Sequence, residues 1–128
     1  MKNKKVSIII RTFNEGRWIS SCLRSVFDQS YDDIEIIIVD NNSTDKTLEK
    51  ASLFEVKVVK IDDYFPGKAI NLGVENSSGD IIVCLSAHCI AKSNDWLHNL
   101  IRNLDNPNVA GVYGKQEPLS FTPDSDKR

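Results

Sequence analysis

Residues 34–45 read IEIIIVDNNSTD, and the fold follows from how that stretch is divided. Ile36 to Val39 are consecutive large aliphatics, a run too short for an independent helix. Such a run suits a strand buried on both faces, the environment a parallel sheet provides. It stops at Asp40, and Asn41-Asn42-Ser43-Thr44-Asp45 follows as a polar loop rich in helix-capping side chains. A short helix comes next, capped from Asn42–Thr44 and turning Leu48 and Ala51 inward. A buried strand that brings an aspartate to its carboxyl end, ahead of a helix, is how open α/β sheets present ligand-binding groups.

The same rhythm extends both ways along the chain. Upstream, Val6–Ile10 reads as a buried strand, followed by the loop Arg11-Thr12-Phe13-Asn14-Glu15-Gly16. Asn14 is positioned to cap a helix to about Phe27, in which Ile19, Cys22, Leu23, Val26 and Phe27 form one helical stripe. Downstream, Val56–Ile61 alternates partly with Lys57 and Lys60, as expected of a strand at a sheet edge. Pro66 suits the first turn of a helix running to about Glu75, and Gly79 suits a left-handed closing position after it. Ile81–Leu85 is a fourth strand, ending in Ser86-Ala87-His88-Cys89. Ser93 or Asn94 caps a last helix with the stripe Leu97, Leu100, Ile101 and Leu104, and Val109–Tyr113 reads as a fifth strand. Strands alternating with helices imply a three-layer, mainly parallel α/β sheet with right-handed crossovers. The expected division is one domain over residues 1–116 and a flexible tail over 117–128.

Composition narrows the function. The chain has 128 residues, 41% hydrophobic and 27% charged, with a net charge of −2. That is one globular domain with enough chain for a core, and it lacks the basic patch a nucleic-acid partner would need. No apolar run approaches the ~18 residues of a membrane span. Three cysteines, Cys22, Cys84 and Cys89, have no zinc spacing and read as reduced, mostly buried thiols in the cytoplasm.

The chemistry gathers at the strand ends. Thr12, Phe13, Asn14 and Glu15 follow the first strand, Asp40 ends the second, and Ser86 and His88 end the fourth. In a sheet of order 3-2-1-4 a crevice opens between strands one and four, where the order reverses. The first turn has no G-x-G-x-x-G, which argues against a dinucleotide fold of the dehydrogenase kind, and no phosphate-binding G-x-x-x-x-G-K-[ST] occurs. Each residue has a plainer role open to it: Asn14 and Asp40 as turn formers, Phe13 as core, Glu15 as a solvated acid, Lys68 as surface.

Taken together, VSIIIRTFNE, VDNNSTDKT, PGKAINLGVENSSGDIIVCL and VYGKQ, in that order, resemble the family 2 glycosyltransferases, inverting enzymes of the GT-A fold that use nucleotide-diphospho-sugars. The likeness runs from Val6 to about Gln116 and is nearest to transferases that build bacterial surface polysaccharides, the rhamnosyltransferase-like members included. It implies that Phe13 stacks on the nucleotide base, Glu15 lies near the ribose, and Asp40 accepts from the base imide N–H, favouring uracil or thymine. It places Lys68 near ribose or phosphate, and Thr12, Asn14, Ser86 and His88 around the donor. A UDP- or dTDP-sugar donor and a polysaccharide or lipid-linked acceptor follow, with a location in the cytoplasm or against the inner face of the membrane.

The chain departs from the family in carrying Ser86-Ala87-His88 where most members have D-x-D. A manganese or magnesium site is thereby weakened, with His88 its remaining ligand, since hard divalent ions favour carboxylate oxygen. The general base is expected beyond Arg128, which makes the chain the donor-binding half of a longer catalytic domain. Two other readings stand beside this one. The first is a non-catalytic nucleotide-binding module of the same fold. The second is a phosphoacceptor receiver domain, for which strand order 2-1-3-4-5 would be diagnostic.

Overall fold

A computed structural model describes residues 4–117. The strands are β1 (Val6–Thr12), β2 (Ile34–Asp40), β3 (Lys57–Lys60) and β4 (Ile81–Ser86). The helices are α1 (Ile19–Phe27), α2 (Thr47–Ala51), α3 (Pro66–Glu75) and α4 (Trp96–Ile101). All strand pairs are parallel, in the order β3-β2-β1-β4. That is the order expected for a crevice between β1 and β4, and it excludes the receiver arrangement.

The central strands are buried because both faces are covered. Ile8, Ile10, Ile36 and Ile38 face one core with Ile19, Cys22, Leu23 and Val26 of α1 and Leu97 and Ile101 of α4. Ile9, Ile37 and Val39 face the other, beneath Ala69 and Leu72 of α3. Each fully buried aliphatic contributes about 1.5–3 kcal/mol, so the run Ile36–Val39 anchors both layers at once. Gly73 lets α3 lie close to the sheet, for a Cβ there would stand 2.6 Å from Ile9 Cγ2.

The amino end of the sheet is fastened by one carboxylate. Glu35 accepts hydrogen bonds from Ser7 Oγ at 2.6 Å and from Ser78 N at 2.5 Å, with Lys5 Nζ 3.5 Å away. Burial pushes its pKa up, but the bonds from Ser7 and Ser78 and the charge of Lys5 outweigh this and bring it down to about 2. Gly79 serves this junction by being small. It does not take the expected left-handed conformation, and a Cβ on it would meet Ser7 Oγ at 2.4 Å and Ser7 N at 2.7 Å.

Other expectations are corrected. Val109–Tyr113 forms no strand, and Tyr113 is 96% exposed. Gly111 and Gly114 weaken an extended conformation there, and no ladder with the outer edge of β4 compensates. Neither Ser93 nor Asn94 caps α4. Asp95 stands at its cap and accepts from Ser93 Oγ instead. Cys22 is buried as expected, but Cys84 is exposed on the side of β4 that α3 leaves open. The tail from residue 118 lies outside the described residues. Among them, no helix is long and apolar enough to cross a membrane.

Candidate functional site

The β1–α1 and β2–α2 loops leave neighbouring strands at the carboxyl edge and are joined by their own polar groups. Asn14 does not cap α1, which starts at Ile19 without a side-chain cap. It adopts φ 52°, a left-handed conformation that asparagine tolerates, and points its Oδ1 across the gap. There Oδ1 accepts from Thr44 N at 2.8 Å and Asp45 N at 3.3 Å, while Asn14 N donates to Ser43 Oγ at 2.9 Å. Asp45 answers from the other loop, accepting from Gly16 N and from Thr47 N, both at 2.9 Å. Those bonds and the one from Thr47 Oγ1 hold its carboxyl below the usual range against a smaller opposing effect of burial. Asp45, not Asn42–Thr44, therefore holds the start of α2.

Asp40 lies beneath this lattice. Its side chain is 0% exposed. Oδ1 accepts from Thr12 Oγ1 and Ser43 Oγ, each at 2.6 Å, and Oδ2 from Ser43 N at 2.9 Å. As it stands, the carboxylate offers no oxygen to an incoming base. Thr12 is likewise buried and committed to Asp40. The resemblance places both against the donor; in the structure both are buried and hydrogen-bonded to each other, and Asp40 also to Ser43. Asn41, half-buried at the same edge, has a side-chain amide without a hydrogen bond to any described residue, and it was missed.

Three of the expected residues, Glu15, Ser86 and His88, come together at the carboxyl edge. Phe13 is 55% exposed and lies two residues before Glu15, on the loop that flanks the expected crevice between β1 and β4. Glu15 and His88 meet across it, with His88 Nδ1 3.5 Å from Glu15 Oε2. The other ring nitrogen, Nε2, is 3.2 Å from Ser86 Oγ. Glu15, His88 and Ser86 thus form a continuous polar chain from the β1 loop to the end of β4. Lys68 stays apart on the rim, more than half exposed and paired with Asp63 at 3.3 Å.

A divalent ion does not fit these residues well. Among the described residues no group of three or more His, Cys, Asp or Glu could hold a metal. Both nitrogens of His88 are already engaged, one of them with the Glu15 carboxylate. A hard cation needs more oxygen charge than this. A cavity of about 340 Å³ lined by Phe27, Ile34, Ile36 and Val56 lies at the opposite end of the sheet and shares none of these groups.

One residue here escaped the sequence reading. Arg11 is half-buried at the end of β1, in register with Val39 on one side and Ser86 on the other. Its Nη1 donates to Tyr64 Oη at 3.2 Å.

Known proteins place the chain. The model of Glycosyl transferase family 2 matches residues 7–123. The dolichyl N-acetyl-alpha-D-glucosaminyl phosphate 3-beta-D-2,3-diacetamido-2,3-dideoxy-beta-D-glucuronosyltransferase of Methanococcus voltae is 35% identical over 85% of this chain. The O-antigen chain rhamnosyltransferase RfbN of Salmonella typhimurium is 30% identical over 89%. This chain spans 38% of the length of each. Among solved structures, the mannosyltransferase PcManGT from Pyrobaculum calidifontis, in complex with GDP-Man and Mn2+, superimposes with a TM-score of 0.78 at 25% identity. That match covers 83% of this chain and 34% of the other.

Proposed function

The chain belongs to glycosyl transferase family 2 and has the GT-A fold, and we propose that it forms the donor-binding part of a glycosyltransferase. In this reading the crevice takes the nucleoside diphosphate of a UDP- or dTDP-sugar. The sugar passes to a polysaccharide or lipid-linked acceptor. The observation that supports this best is the meeting of Glu15, Ser86 and His88 where strand order reverses between β1 and β4, with Phe13 exposed on the loop that carries Glu15. Phe13 supplies a π face for a planar base. Asn41 offers an amide that both donates and accepts, matched to the edge of uracil or thymine, while Asp40 and Thr12 hold its loop in place. Glu15 and Ser86 suit ribose hydroxyls. His88, held by Glu15 and Ser86, lines the same edge beside the proposed donor. Lys68 is near enough to the rim for long-range attraction. Donor binding is the activity assigned to this chain, and transfer by the whole protein is proposed on the same grounds.

Calorimetric titration with UDP, dTDP, GDP and ADP tests the reading, each with magnesium, with manganese and with chelator. UDP and dTDP are expected to bind more tightly than ADP, with weak dependence on either metal. GDP is the informative competitor, since the mannosyltransferase above holds GDP-Man. Phe13→Ala is expected to weaken binding roughly five- to a hundredfold, the range for losing one base–aromatic stack. Failure to bind any of the four, or equal binding of UDP and ADP that survives Phe13→Ala, would overturn it.

A further inference from the structure

We propose that Arg11 grips the diphosphate of the donor, supplying positive charge at a site that lacks the two carboxylates a metal ion would need. The inference rests on the donor-binding reading above and names the residue responsible for one part of it.

The argument starts from register. Neighbouring residues in parallel strands point to the same face, so Arg11 on β1 and Ser86 on β4 lie side by side at the carboxyl edge. Ser86 Oγ is in turn within 3.2 Å of His88 Nε2, so the strand position of Arg11 adjoins the polar chain that runs to Glu15. Arg11 is also short of partners. The ion pairs of the described residues join Lys5 to Glu35, Lys68 to Asp63, His88 to Glu15 and Lys92 to Glu117, and none includes Arg11. Its hydrogen bond goes to the neutral hydroxyl of Tyr64. That bond engages Nη1, and no other side-chain hydrogen bond of Arg11 to a described residue competes for the rest of the fork.

Half-burying a guanidinium without a counter-charge costs stability unless a ligand supplies the charge. The ligand that suits a planar fork of donors is an oxyanion bound by paired hydrogen bonds, phosphate above all. Lys68 fills this role less well, being more exposed and already paired with Asp63. Glu15, the nearby carboxylate, is turned to His88.

The test compares UDP with uridine, in chelator, on the 128-residue chain and on Arg11→Gln, Arg11→Lys and Tyr64→Phe, with thermal unfolding of each as a folding control. Arg11→Gln is expected to weaken UDP binding roughly ten- to a hundredfold, the loss of a charge-assisted contact, and to leave uridine unchanged. Arg11→Lys keeps the charge without the fork and should show a smaller loss, again confined to UDP. Tyr64→Phe releases Nη1 and should weaken UDP by less than Arg11→Gln. Equal loss of UDP and uridine, or no loss of either, would show Arg11 to be structural. Should Arg11→Gln fail to fold, an unchanged UDP-to-uridine ratio in Arg11→Lys and Tyr64→Phe would overturn the inference by itself. A wild-type chain that binds neither uridine nor UDP would instead refute the donor reading and take this inference with it.

Discussion

Replacing Asp40 by asparagine separates two roles that sequence and structure assign to the same carboxylate. In the structure it accepts from two hydroxyls at Oδ1 and from the backbone N–H of Ser43 at Oδ2. The backbone donor cannot turn away, whereas the hydroxyls of Thr12 and Ser43 can rotate to accept. An asparagine should therefore set its oxygen against Ser43 N and its amide group against the hydroxyls. Shape and bond count survive, and what is lost is the charge assistance. Charged hydrogen bonds are worth about 1.5–3 kcal/mol and neutral ones about 0.5–1.5, and some loss is recovered because a buried charge is removed. The expected net cost is roughly 1–2 kcal/mol, or about 3–10 °C in Tm for a chain of this size. Asp40→Ala strands both hydroxyls and the Ser43 amide, and should cost roughly 3–5 kcal/mol. Urea unfolding followed by tryptophan fluorescence measures both, and a Thr12→Val double-mutant cycle should show coupling between the pair. UDP affinity of Asp40→Asn should fall only slightly. The reasoning is refuted if Asp40→Asn keeps full stability yet binds UDP roughly a hundredfold more weakly. That outcome would mean the carboxylate touches the base directly.

Two further outcomes follow from the titratable groups. Glu35 has its pKa lowered to about 2 from an ordinary 4.5, so its stabilisation is full above the ordinary value and is lost as pH falls from there through 2. Its side chain is 25% exposed, which reduces the effect to roughly 2 kcal/mol, and Glu35→Gln should flatten the acid limb of a stability–pH curve; an unchanged limb would place the sensitivity elsewhere. Burial above all, then Cys89 and Glu15, push the Cys22 thiol up to about 12, while Cys84 is exposed. A disulfide reagent at pH 8 should modify Cys84 in the folded protein and Cys22 only on unfolding, as mass spectrometry of the labelled peptides would show.

Much of the fold was legible because its signals are local. The aliphatic runs at Ile8–Ile10 and Ile36–Val39 and the proline opening α3 state their structure within a few residues. Strand order was not legible: the polar strand ends suit a switch point only if the order 3-2-1-4 is assumed, and the structure supplies it. The misreadings concern side chains that act at a distance. Asn14 looks like a helix cap in sequence because its partners, Thr44 and Asp45, lie a whole strand and helix away. For Asp40 the sequence gives the strand end but not its hydrogen bonds, since nothing local reveals that Thr12 and Ser43 donate to it. Arg11 was passed over since a basic residue at a strand end is ordinary. It stands out only once register sets it beside Ser86 and no ion pair among the described residues includes it. The register itself hints at this, for period-two alternation puts Ile9 and Arg11 on one face.

The bonds between Asn14 and the Ser43–Asp45 loop bear on the thermodynamics of recognition. Two separate surface loops would each lose conformational freedom when a nucleotide settled between them, and that loss subtracts from affinity. Here the ordering is completed when the chain folds, through Asn14, Ser43, Asp45 and Thr47. Lys50 Nζ, donating to Gly16 O at 2.6 Å, ties the helix behind one loop to the other loop as well. The two loops therefore behave as a single rigid jaw, and loosening either one loosens both. Residues that never touch a ligand can then set how tightly it is held, through entropy alone.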